Sequence, residues 1–208
     1  MRPAPESPAP HLDPTTWCRL VDSLDAATIF VVIGSWIGAE VRLEVSVEDI
    51  WQETLWMAWR DRQQHEWSNL TRYRSWLLGI AHNRVRATVR GALRTKRGGN
   101  RPLARFSDLG GPDTVDGYLP PQSTTPSRTA SHLERARVLE HALASLDEPL
   151  RDVVRLRVFE EVPLKDSAER LGLPLSTFKD RLVRGLRDYR RELQRRLGPD
   201  ALGQQEPS

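Results

Sequence analysis

Two arginine-rich runs carry the first chemistry that residue type and spacing suggest, and it is the chemistry of binding a polyanion. Residues 84–105 hold eight basic side chains (Arg84, Arg86, Arg90, Arg94, Lys96, Arg97, Arg101 and Arg105) and no acidic one. A solvated helix ordinarily mixes signs, because like charges at helical spacing repel, so an uncompensated run expects a polyanion. Residues 179–196 repeat the bias, with eight basic residues against Asp180, Asp188 and Glu192. Arginine supplies nearly all of this charge, and its flat fork suits phosphates and guanine edges better than an ammonium does. A third candidate is acidic: Asp49, Gln52, Glu53 and Trp56 fall on one helical stripe, at offsets of three, four and seven. That stripe is either a solvated face or a docking surface for a basic partner.

The sequence offers little for catalysis. His11, His65, His82, His132 and His141 form no ligand or triad spacing, and no glycine loop is built to cradle phosphate. Cys18 is the only cysteine, so no internal disulfide and no structural zinc are expected, which fits a reducing cytosol. The reading is therefore a protein that is not an enzyme and uses neither cofactor nor metal. Residues 1–14 are proline-rich without a signal-peptide core, and the apolar stretch 26–39 is interrupted by Thr28, Gly34 and Ser35. It is too short and too broken to span a bilayer, and a cytoplasmic protein is expected.

The elements that must position these residues are helices. The 208 residues are 38% hydrophobic and 28% charged, with a mean hydropathy of −0.54, an inventory that suits small helical cores better than one large core. Composition separates a disordered leader (1–16), a tryptophan-rich helical block (17–97), a Gly/Pro/Ser/Thr-rich flexible linker (98–131), a second helical block (132–197) and a disordered tail (198–208). The fold class expected is all-α, as two small helical domains.

In the first block, the apolar spacing of Val47, Ile50, Trp51, Leu55, Met57 and Ala58 predicts a helix from Val47 to Arg60, with Ser46 as N-cap. A polar segment, 61–75, precedes a helix from Trp76 toward Arg97. In the second block the pattern predicts helices over 132–145, 148–160, 164–171 and 176–196, with a tight glycine-containing connection before Ser176, read as an N-cap. A short helix, a glycine turn and a longer helix with a basic start is a helix-turn-helix pattern. Val153, Leu156, Leu164, Ala168, Leu171, Leu173, Phe178 and Leu182 would form its core, leaving Thr177, Lys179, Asp180, Arg181 and Arg184 outward. From pattern alone the unit is either a DNA reader or an ordinary helical hairpin.

Taken together, the blocks resemble the small bacterial sigma factors of the extracytoplasmic-function (ECF) group, which keep regions two and four joined by a flexible linker. In the first block the resemblance rests on VEDIWQETLWMAW (47–59) and YRSWLLGIAHNR (73–84), the latter similar to the family's aromatic-Arg-x-Trp-Leu…Ile-Ala-x-Asn signature. In the second it rests on LDEPLRDVV (146–154) and AERLGLPLSTFKDRL (168–182), similar to the family's helix-turn-helix.

The resemblance implies a sigma factor that binds core RNA polymerase, through the clamp helices of the largest subunit and the flap, and directs promoter recognition and melting. Asp49, Gln52, Glu53 and Trp56 would face the polymerase. Trp67, Asn69 and Tyr73 would capture a flipped base of the −10 element, by stacking and hydrogen bonding; Tyr73 and Trp76 could equally be core. Asn83, Arg84, Arg86, Arg90 and Arg94 would hold the DNA backbone, and Ser176, Thr177, Lys179, Arg181 and Arg184 would enter the major groove at the −35 element. Family members are often held inactive by an anti-sigma factor, so such a partner is implied too, with no membrane insertion and with nucleoid association when bound to polymerase.

Two positions depart from the family pattern. Asp180 stands where a small polar residue is usual, and Ser167 replaces a large aliphatic one, which predicts a thinner core. A plain regulator, with the first block serving for dimerisation or signal input, would leave the acidic and Trp-Leu helices unexplained.

Overall fold

The computed structural model describes residues 14–37, 42, 45–65, 68–96 and 126–198, and every element among them is helical. The elements are α1 (Pro14–Asp22), α2 (Ala26–Trp36), α3 (Val47–Asp61) with a 3-10 turn (Arg62–Gln64), α4 (Leu70–Lys96), α5 (Pro126–Ala144), α6 (Glu148–Val154) continued by a π turn (Arg155–Phe159), α7 (Leu164–Arg170) and α8 (Leu175–Leu197). The all-α expectation holds. The chain divides into two compact units, residues 1–26 with 33–129 and residues 27–32 with 130–208. The leader before Pro14, most of the stretch read as linker, and the tail after Gly198 lie outside the described residues.

In the first unit, α3 starts where the sequence predicts, because Ser46 and Asp49 form a reciprocal capping box. Ser46 Oγ accepts from the Asp49 amide at 3.1 Å, and Asp49 Oδ2 accepts from the Ser46 amide at 3.3 Å. Helix α4 begins at Leu70, ahead of the expected Trp76. Asn69 supplies the cap, its Oδ1 accepting from the Arg72 amide at 2.9 Å, so polar residues that read as a loop form the first turn. The core between these helices is aromatic. Trp17 of α1 meets the edges of Trp59 (5.3 Å between ring centroids) and Tyr73 (5.7 Å). Helix α2 is mostly apolar, with Ile29, Val31, Val32 and Ile33 buried, and its residues 27–32 group with the second unit; no helix among the described residues is long and apolar enough to cross a membrane.

Helix α5, most of which belongs to the second unit, begins at Pro126, earlier than the expected residue 132. Composition suggests a linker there, but proline's missing N–H costs nothing in a first helical turn. Leu150, Val153 and Val154 of α6 bury themselves against the Phe178, Gly185 and Tyr189 face of α8. Gly185 is what allows this approach: a Cβ there would lie 2.7 Å from Val154 Cγ2 and 3.1 Å from the Leu150 carbonyl oxygen. Gly185→Ala is expected to destabilise the unit by about 1–3 kcal/mol, the usual cost of overpacking. Urea denaturation would measure this, and an unchanged midpoint would mean that α6 and α8 do not pack so closely.

Two details of the motif's start differ from the sequence reading. Ser176 is not an N-cap: α8 starts at Leu175 after Pro174, whose extended backbone feeds the helix and whose carbonyl accepts from the Phe178 amide at 3.0 Å. Ser167 is fully buried, its hydroxyl donating to the Val162 carbonyl at 3.1 Å, so the small side chain fills a satisfied polar site rather than an empty one.

Candidate nucleic-acid interface

Helices α7 and α8 are joined by a turn in which Gly172 takes φ +63°, a backbone conformation that favours glycine. The Leu173 amide reaches back to the Ala168 carbonyl at 2.9 Å and the Gly172 amide to Glu169 at 3.1 Å, closing the C-terminus of α7. The turn fixes the angle at which α8 leaves, and Phe178, fully buried, locks its first turns onto the unit. Ser176, Lys179 and Arg184 are exposed on α8, whereas Thr177 and Arg181 are half-buried. Arg181 lines a cleft with Glu148, Asp152, Leu171 and Leu173, beside the acidic start of α6. Of the expected core, Val153, Leu156, Ala168 and Phe178 are buried, while Leu164, Leu171, Leu173 and Leu182 are half-buried at the rim. Further along α8, Arg187 and Arg191 lie 3.6 and 3.7 Å from Asp188, and Arg195 and Arg196 grip Glu192 at 2.7 and 2.8 Å.

In the first unit the acidic stripe is divided. Asp49 is exposed but engaged in the capping box, and Gln52 is exposed. Glu53 turns toward α4, where Arg84 grips it in a two-pronged pair, with Nη2 2.9 Å from Oε1 and Nε on Oε2. The stripe's glutamate and the first arginine of the basic run therefore hold each other. Trp56 is half-buried under the guanidinium of Arg60, 5.3 Å from the ring centroid, and Arg60 also chelates Asp61, holding its carboxyl below the usual range.

On α4, Asn83, Arg86 and Arg90 are exposed; Arg94 belongs to the helix, but its side chain lies outside the described residues, as does Trp67. Asn69 is exposed with its carbonyl oxygen committed to the cap. Tyr73 is core, 1% exposed, and burial holds its hydroxyl protonated far above the usual tyrosine range, so the core alternative describes its place. Half-buried Trp76 meets the exposed His65 ring at 4.7 Å. Ligand spacing in the sequence passes over His65, which the structure brings onto Trp76.

Comparison with known families decides the nature of the second unit. Residues 136–188 match the family model for sigma-70, region 4. The second unit contains a sigma-70 region 4 domain. The match runs from within α5 to Asp188 of α8, about a quarter of the chain, and includes the whole helix-turn-helix. No curated protein matches the chain. A region 4 domain belongs to the promoter-recognition machinery of transcription initiation, so of the two readings left open by pattern, the DNA reader holds over the ordinary hairpin. In this domain the exposed face of α8 presents Lys179, Arg184, Arg187 and Arg191 from a helix locked down by Phe178 and Tyr189, which is how a recognition helix must be held to enter a groove in one register.

Proposed function

We propose that the chain is a sigma factor of the ECF group, which binds core RNA polymerase and directs it to the promoters of a specific regulon. The observation that carries the reading is the region 4 helix-turn-helix with its basic outward face on α8. The domain limits 17–97, 98–131 and 132–197 belong to this proposal. So do the assignments of Ser176, Thr177, Lys179, Arg181 and Arg184 to the −35 element, of which Lys179 and Arg184 are the most exposed cations.

Support for a second DNA-binding face comes from α4, which presents Asn83, Arg86 and Arg90 to solvent with no acid interleaved. Such a face would neutralise backbone phosphates irrespective of sequence. The exposed part of the α3 stripe, Asp49 and Gln52 beside half-buried Trp56, would dock on the polymerase clamp. Trp67 and Asn69, together with the His65–Trp76 pair, would flank the flipped −10 base. The mechanism has no covalent step: region 4 anchors one element, the first unit stabilises the opened strand of the other, and binding energy shifts the duplex toward the melted state. The protein would act in the cytoplasm, on the nucleoid, under an anti-sigma factor.

The test is run-off transcription with core polymerase from the source organism on a library of its promoters. Transcripts that require the added chain are expected. No transcript from any template, together with tight duplex binding by the chain alone, would instead make it a plain operator-binding regulator.

A further inference from the structure

Helix α8 carries three acidic side chains, and the structure treats them differently. Asp188 and Glu192 are each held by two arginines. Asp180 is exposed and makes no ion pair with any described residue, although Lys179, Arg181 and Arg184 surround it in sequence. One turn further on, Val183 is 69% exposed, more than any other large apolar side chain among the described residues.

Both point away from the domain. At about 100° per residue, Asp180 lies on the side of α8 opposite Phe178 and Tyr189, and Val183 opposite Gly185, the three residues being buried against the unit. They occupy the second and third turns, between Lys179, Arg184 and Arg187, which are exposed. The carboxylate is held by no ion pair among the described residues and the isopropyl group is left largely bare, in the middle of a basic face.

We propose that Asp180 and Val183 set the base preference of the region 4 domain, Asp180 accepting a hydrogen bond from the N4 amino group of a cytosine and Val183 packing on the C5 methyl of a thymine. The inference rests on the reading of α8 as a recognition helix. In the major groove guanine and thymine offer the carboxylate only acceptors, and adenine's amino group is flanked by the N7 acceptor, so cytosine is the base it can approach without repulsion. The thymine methyl is the one apolar group on that edge. The two side chains are about 4.5 Å apart along the helix axis, comparable to the rise of about 3.4 Å between bases, so the two bases are neighbours or next neighbours. The carboxylate also repels phosphate, weakening every complex that lacks the cytosine, so specificity comes partly from penalising the wrong sequence.

The experiment is site selection from randomised duplex DNA by the full chain with core polymerase, comparing wild type with Asp180→Asn and Val183→Ala. Both positions are exposed, and unchanged circular dichroism would show that the variants fold. Wild type should enrich adjacent or near-adjacent cytosine and thymine. Asp180→Asn should move the first preference from cytosine toward adenine, which asparagine pairs through N6 and N7, by about tenfold. Replacing the thymine by deoxyuridine should weaken wild type about fourfold, the value of one buried methyl, and Val183→Ala hardly at all. An enriched sequence with the same base profile in all three proteins would overturn the assignment while leaving the DNA-reading domain intact. No enrichment by wild type would overturn both.

Discussion

Trp17→Ala is expected to lower the stability of the first unit by about 3–5 kcal/mol, the range for deleting a fully buried large aromatic. Trp17 is 1% exposed and sits edge-on to both Trp59 and Tyr73, so truncation removes two aromatic contacts as well as buried area. The cavity could not close easily. Trp59 also carries the Arg62 guanidinium, 3.6 Å from its ring centroid, and Tyr73 is held on α4. Helix α1 has only nine residues, too few to persist in water without its packed face. Urea denaturation of wild type, Trp17→Phe and Trp17→Ala would read the effect, with phenylalanine recovering much of the loss. A change below about 1 kcal/mol in the alanine variant would be a surface-like response and would mean that α1 is not docked where the structure puts it.

The parts of this molecule that are legible in its sequence are those governed by local rules. The capping box at Ser46 and Asp49 and the glycine turn at Gly172 each need only a few neighbouring residues, and α3 and the helix-turn-helix can be read from them. The errors fall where a polar residue or a proline has two uses. Asn69 reads as loop and is a cap, Ser176 reads as a cap and lies within the first turn of α8, and Pro126 reads as linker and opens α5. Composition alone does not distinguish these, because the same side chain serves a turn or a helix start depending on the residues C-terminal to it. At the candidate site the outward cations Lys179, Arg184, Arg86 and Arg90 are legible from uncompensated charge. The Glu53–Arg84 pair is not, since 31 positions separate its partners and helical spacing speaks only of neighbours on one helix. Tyr73 illustrates the same limit: an aromatic next to arginine suits a base or a core, and only α1 packing on it decides.

That ion pair governs how the polymerase-docking role proposed for α3 can be tested. Glu53→Arg is expected to abolish promoter-dependent transcription, but for a reason unrelated to docking. With side-chain exposures of 13% and 23%, Glu53 and Arg84 are largely withdrawn from water, and reversing the glutamate sets two guanidinium groups against each other at the α3–α4 contact. Removing one partner of a well-buried pair costs about 3–5 kcal/mol; with this much residual solvent access the loss should fall nearer about 2–4 kcal/mol, still a large part of a small domain's stability. A double-mutant cycle with Glu53→Gln and Arg84→Met should show coupling of about 1–3 kcal/mol in urea denaturation, whereas coupling near zero would mean that the pair contributes nothing to holding the helices. The exchanged variant, Glu53→Arg with Arg84→Glu, should regain part of the stability. Gln52 is the cleaner probe. It is exposed one position before Glu53 and has no share in the capping box, so Gln52→Arg should leave stability within about 0.5 kcal/mol. If the outward part of the stripe meets the clamp, the same change should cut run-off transcription at least about tenfold, by the few kcal/mol that like charge costs at an interface. Full transcription by a stable Gln52→Arg protein would move the polymerase contact off this face of α3.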